Sequence, residues 1–363
     1  MKTTTKRLML LSMTLLSLNA CKKDEPAVVT NPPANTSTGT SGPYDTGIFI
    51  TNEGQFPSGA GSVSFYNRTT KVVTNDIFQL VNKYPLGNVV QSYTVYNGKG
   101  YIVVNNANKM EIVSSGDFKS IGSITGLLQP RYFMPISAGK AYVSEWGDGG
   151  IKGAVRIINL ANNSISGTIP TGLGAENMVK VNDLVYIACN GGNSNDSIVT
   201  IINSVKDSVV KKLIVGANPS SIQVDANGKI WVLCKGQYSA TYAFVKPGSL
   251  VRINPNTNTI EQSFVFALTT SPGNLSLNAA KTKLIYTYTG GVFVQDIAAA
   301  TLNASALIKK GFYSLGVDPL TDAIYGADPK DYTNNGYVFR YTNAGAYMDS
   351  INVGVTPGGF FFK

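Results

Sequence analysis

After residue 44 the chain keeps returning to one pattern. A turn of Gly, Asn or Lys leads into an aromatic residue and then branched apolar ones. The clearest copies are Asn97-Gly98-Lys99-Gly100-Tyr101-Ile102-Val103-Val104, Gly139-Lys140-Ala141-Tyr142-Val143, Leu184-Val185-Tyr186-Ile187 and Asn227-Gly228-Lys229-Ile230-Trp231-Val232. Weaker copies are Lys283-Leu284-Ile285-Tyr286 and Asp322-Ala323-Ile324-Tyr325. Each is followed by a glycine-containing loop, an alternating strand such as Ser249-Leu250-Val251-Arg252-Ile253-Asn254, an Asn/Thr turn and a further strand. The units end near Gly87, Gly126, Gly172, Gly216, Leu268, Gly311 and Gly354, at intervals of 39 to 52 residues.

Four short strands repeating with a period in the forties specify an all-β fold, the β-propeller. A four-stranded blade has two apolar faces and cannot bury both alone. Stacking blades around an axis buries them at the roughly 10 Å spacing of packed sheets. The count predicts seven blades of four antiparallel strands. Six have an innermost strand just before the aromatic one, at residues 89–95, 131–136, 177–181, 221–224, 274–277 and 314–317. The first lacks one and starts directly at Ile48-Phe49-Ile50-Thr51, whereas Val355-Thr356-Pro357-Gly358-Gly359-Phe360-Phe361-Phe362 has nothing after it to pair with. That C-terminal strand is expected to enter the first blade and close the ring, which removes exposed sheet edges.

Composition narrows the chemistry. The 363 residues include no His, so imidazole-ligated zinc, His-axial haem and a Ser-His-Asp triad are excluded. Only 14% of residues are charged, while 37 Gly and 19 Tyr suit strands joined by tight turns. Three cysteines are too few for a disulfide-stapled module. Cys189 and Cys234 occupy equivalent places in successive units, about 10 Å apart in stacked sheets, which is too far for a bridge. They are expected to be buried free thiols. Trp231, in the repeat's aromatic position, is expected to pack between blades.

The N-terminal segment does not belong to the ring. Lys2, Lys6 and Arg7 precede an apolar stretch from Leu8 to Leu18, and Leu18-Asn19-Ala20-Cys21 closes it. Residues 1–20 therefore resemble a bacterial lipoprotein signal, which implies lipidation of Cys21 and a lipid anchor in the membrane. Residues 21–44 read as a flexible Pro/Thr/Ser/Gly stalk and residues 45–363 as the propeller. Lys22-Lys23-Asp24-Glu25 resembles the signal that sends such proteins to the outer face of the outer membrane. Without Lys2, Lys6 and Arg7, 27 of the 30 basic side chains face 21 acidic ones, a charge of +6 with no Lys/Arg cluster. Nucleic acid is not an expected partner.

Long loops fall on one predicted face, at residues 52–61, 145–153, 190–197, 235–248 and 327–336, and the opposite hairpins are mostly short. Function concentrates on such loops. Candidate ligand-binding residues on this face are Glu53, Gln55, Phe56, Asn105, Trp146, Asp148, Asn190, Tyr238, Tyr242, Asp331 and Tyr332. The starts of the inner strands add Asn88, Gln91, Gln129, Arg131, Tyr132, Glu176, Asn177 and Tyr313. Flat rings with amide and carboxylate partners suit a large, flat, polar-edged ligand: a corrinoid, an oligosaccharide or a peptide.

Several segments resemble the YVTN-type propellers and, within them, the surface lipoprotein propellers of the DUF5074 domain family. They are Phe49-Ile50-Thr51-Asn52-Glu53-Gly54, Tyr84-Pro85-Leu86-Gly87-Asn88-Val89-Val90-Gln91-Ser92, Tyr101-Ile102-Val103-Val104-Asn105-Asn106 and Pro130-Arg131-Tyr132. One subgroup binds corrinoids such as vitamin B12 and passes them to a TonB-dependent transporter. The resemblance thus implies a non-enzymatic nutrient-capture lipoprotein. Alternatives are an adhesive or structural envelope protein that binds glycan or protein, and a glycosidase-type enzyme using two of Glu53, Glu145, Asp148, Glu176, Asp328 and Asp331. No cofactor or metal is expected. Asn190–Asp196 has oxygen ligands but not EF-hand spacing, and reads as a turn.

Overall fold

The computed structural model describes residues 42–363. The signal, the stalk up to residue 41 and Cys21 lie outside them. Seven antiparallel sheets form the blades of a β-propeller. From the axis outward the third blade runs Pro130–Ser137, Lys140–Glu145, Ala154–Asn159 and Ser164–Pro170. The inner strands of the other blades are Pro357–Phe362, Val90–Tyr96, Ala175–Val181, Pro219–Val224, Gly273–Leu277 and Ser314–Val317.

Six blades have four strands, whereas the sixth has three. Its outer position is reduced to a single bridge between Val292 and Ile308. The segment there, Ala298-Ala299-Ala300-Thr301-Leu302-Asn303-Ala304, is poor in branched and aromatic residues and has little tendency to extend. The buried Gln295 side chain holds it instead, donating to the Thr301 carbonyl (2.9 Å) and accepting from Asn303 N–H (2.8 Å).

Second strands are covered on both faces, so they read as unbroken apolar runs, and all five residues of Ile230–Cys234 are buried. Seven apolar clusters fill the seven blade interfaces. Tyr186, Val199 and Ile201 of the fourth blade meet Ile222, Val232 and Val251 of the fifth. Trp231, fully buried, meets Leu275, Leu284 and Phe293 of the sixth and donates Nε1–H to Asp225 at 2.8 Å. The tyrosines of the repeat also latch neighbouring blades: Tyr142 donates to Asp207, and Tyr186 to Asn258. Cys189 and Cys234 are buried and unbridged, and burial pushes their thiols up to about 11 and about 12.

The ring closes as expected. Phe362, Phe361 and Phe360 pair with Ile48, Phe49 and Ile50 of the first blade. The Lys363 ammonium then clasps the Tyr44 carbonyl (3.1 Å), Asp45 (3.1 Å) and the Ser115 carbonyl (2.9 Å). Ile48 lies near the end where the chain arrives, and Asn52 near the end that carries the long loops. Among the described residues no helix is long and apolar enough to cross a membrane.

Candidate functional site: the mouth of the central channel

Two backbone devices, repeated blade after blade, build the mouth. The first is at the end of the second strand. In four blades this strand is followed directly by any residue and then glycine: Glu53-Gly54, Trp146-Gly147, Asn190-Gly191 and Lys235-Gly236. Each glycine has a positive φ, from 77° to 93°. Each donates its N–H to the residue two before the inner strand of its own blade, namely Val355, Leu128, Leu173 and Ala217, at 2.9 to 3.0 Å. The residue before it donates to Thr356, Gln129, Gly174 or Asn218, at 2.8 to 3.1 Å. These four acceptors are themselves left-handed, with φ from 51° to 62°. A side chain in the glycine's place would be strained and would strike the returning loop backbone. The glycine is therefore fixed, and the residue before it is free to vary and to carry chemistry.

The second device is a β-bulge at the start of the inner strand, found in six blades. The inserted residues there are Gly358, Gln91, Arg131 with Tyr132, Glu176 with Asn177, Ser220, and Asn274 with Leu275. A bulge breaks the alternation of the strand and re-aims the side chains there.

All of these but Gln91 line a cavity of about 820 Å³ along the channel. Glu176 is its hub. Its Oε1 accepts from Arg131 Nε at 3.1 Å, Trp146 Nε1 at 2.9 Å and Asn190 Nδ2 at 2.9 Å. The Arg131 guanidinium lies over the Trp146 ring, 4.2 Å from its centroid. Across the mouth the Tyr313 hydroxyl donates to both oxygens of Glu53 at 3.1 Å, and its ring meets Tyr332 edge-on at 5.9 Å. Burial holds the Glu53 carboxyl above the usual range, against the pull of the Tyr313 hydrogen bond and the Arg131 charge. A side chain at Gly358 would run into that carboxylate. Gln91 reaches the Tyr132 hydroxyl at 3.5 Å.

Thus Glu53, Gln91, Arg131, Tyr132, Trp146, Glu176, Asn177, Asn190, Tyr313 and Tyr332 come together at the mouth. The other candidates stand apart. Asn88 braces the first long loop by donating to the Gln55 carbonyl at 3.2 Å. Phe56 projects from that loop, 73% exposed. Asn105 is buried and donates to the Pro130 carbonyl at 3.1 Å. Gln129 is a left-handed turn residue. Asp148 pairs with Lys152 on an exposed turn. Tyr238 and Tyr242 sit on a two-stranded flap, Gln237–Tyr238 with Phe244–Lys246. Asp331 is taken up by Thr333 and Asn334 of its own loop.

One mouth residue, Lys235, escaped the sequence reading. Its signal was the repeated strand-ending dipeptide, which puts Lys235 in register with Glu53, Trp146 and Asn190. Solvent reaches it, yet channel walls surround it, and this desolvation lowers its pKa. Among the described residues, no group of His, Cys, Asp and Glu is arranged to hold a metal ion.

Residues 46–362 match the family model described as "Domain of unknown function (DUF5074)". The chain belongs to this family. No functionally curated protein matches the sequence. Solved structures do, at low identity. A quinonprotein alcohol dehydrogenase-like protein from Bacteroides thetaiotaomicron is 12% identical, with a TM-score of 0.64 over 88% of this chain and 78% of the other. The periplasmic gluconolactonase of Pseudomonas aeruginosa is also 12% identical, with a TM-score of 0.64 over 87% of this chain and 98% of that one. A functionally unknown protein from Desulfotomaculum acetoxidans is 11% identical, with a TM-score of 0.65 over 87% and 98% of the two chains. At such identities the DUF5074 chain shares the fold of these proteins, and their chemistry does not follow from it.

Proposed function

We propose that this DUF5074 propeller is a non-enzymatic capture protein that holds a polar-edged small molecule or glycan over the channel mouth. The observation that carries this reading is the preorganised Arg131–Trp146–Glu176–Asn190 cluster, in which three donors fix one carboxylate and a cation lies over an indole. Rings and polar groups already locked in place lose little entropy when a ligand arrives. A catalytic carboxylate pair is disfavoured. Glu145 is tied to Arg156 at 2.6 Å and Asp328 to Lys310 at 3.0 Å. Asp148 and Asp331 face solvent, and Glu176 serves as a hydrogen-bond anchor.

In its sharpest form the ligand is a corrinoid. A lipid on Cys21 displays the protein at the outer membrane, and a TonB-dependent transporter receives the cargo. The support for this form is the family resemblance and the polar and aromatic lining of the mouth. The test is calorimetric titration of cyanocobalamin into protein beginning at Lys22. Saturable heat at micromolar protein that falls at least ten-fold in affinity in Trp146→Ala is the expected result. No heat removes the corrinoid form, and binding untouched by Trp146→Ala and Arg131→Ala overturns the mouth as the site.

A further inference from the structure

The mouth holds four charged groups, and they are not equally satisfied. Arg131 has Glu176, and Glu176 has three donors. Glu53 has the Tyr313 hydroxyl. Lys235 lines the same cavity, near enough to Glu176 and Arg131 to feel both charges, but no carboxylate stands within ion-pair distance of it among the described residues. Its ammonium has three donors to give, and the Arg131 guanidinium engages Glu176 through Nε alone, so its outer nitrogens are also open.

We infer that Lys235 and the outer edge of Arg131 form an anion seat, and that the ligand of this propeller carries a carboxylate or phosphate group placed there. This inference deepens the capture reading and rests on the same mouth. The logic is electrostatic. Lys235 is reached by solvent and has no carboxylate partner among the described residues. An anion arriving at the mouth therefore meets its ammonium and the outer Arg131 nitrogens together and gains charge-assisted hydrogen bonds from both. The neighbouring Glu176 does not spoil the seat, because its charge is already offset by the paired Arg131 guanidinium, which leaves the Lys235 charge over. The strand-ending dipeptide explains how the seat is set: the glycine of Lys235-Gly236 fixes the backbone, and the preceding residue alone determines the sign of charge at that point of the rim.

Fluorescence quenching tests the seat while the ligand itself is still unidentified. Trp231 is fully buried, so quenching in solution reports on Trp146. Iodide, an anionic quencher, is compared with neutral acrylamide at constant ionic strength. The seat concentrates iodide beside Trp146, so the iodide-to-acrylamide ratio should drop about two-fold or more in Lys235→Met and return in Lys235→Arg. Millimolar phosphate or gluconate should relieve the iodide quenching, whereas sorbitol, the neutral analogue of gluconate, should not. Phosphate acting alone identifies a phosphoryl ligand, and gluconate acting alone a carboxylate. An unchanged ratio in Lys235→Met, relief by sorbitol, or relief by neither anion overturns the inference. Cyanocobalamin or glycan binding that depends on Trp146 but is unmoved in Lys235→Met would overturn the anion seat and leave the capture reading intact. Melting curves of each variant establish that it folds.

Discussion

Glu53 shows how a single residue can serve a site at the expense of stability. Its carboxyl sits partly buried between Tyr313 and Gly358, and burial raises its pKa. The folded state therefore holds the proton more tightly than the unfolded chain. Protonated Glu53 favours folding, and this contribution fades as pH rises through the ordinary carboxylate range and on to the raised pKa of the folded state. Glu53→Gln is expected to melt roughly 2 °C higher than the parent at neutral pH, with the gap closing in acid, as read by scanning calorimetry at both ends. A parent that melts higher at neutral pH would contradict it. Residues of this kind were only half legible in the sequence. Arg131, Trp146 and Glu176 stood out by type and place, but Asn88 and Asn105 have the same chemistry and are occupied by loop and blade contacts. An amide that binds a ligand and one that braces a turn look alike until the backbone around them is known.

At the scale of elements, the final strand completes the first blade. Its aromatic residues Phe360 and Phe362 pack on Tyr325 of the seventh blade, and Phe361 meets Phe49 and Tyr93 on the other side. Removing residues 357–363 strips the first blade of its inner strand and opens two interfaces. The loss of four aromatic contacts and a run of ladder bonds is roughly 5 kcal/mol or more, comparable with the stability of a whole domain. The truncated chain should be insoluble or lack a cooperative melt, and retention of the parent's melting temperature would refute the closure as the source of stability. Strand order and closure were readable because aromatic and apolar positions recur at a fixed period. The bulges were not, since one inserted residue leaves no mark in composition and shows only as a slipped register. The reduced outer strand of the sixth blade was likewise hidden, because its alanine-rich stretch fits within the spread of repeat lengths.

Across the whole molecule, no blade has a core of its own. Every apolar cluster is shared by two neighbours, and the seven interfaces form a closed circuit. Opening one exposes apolar surface on both sides, so unfolding should spread around the ring. Tryptophan fluorescence, which reports on the third and fifth blades, and far-ultraviolet circular dichroism, which reports on all strands, should give one coincident urea transition. Separate midpoints would mean that sectors unfold independently. The clasp of Lys363 on Tyr44, Asp45 and Ser115 has a mechanical consequence as well. It gathers both ends of the described chain at the back of the disc, behind the first and second blades. Any leash arriving through Gly42 thus pulls on the rear of the molecule, off-centre, and leaves the front free to tilt toward whatever drifts past.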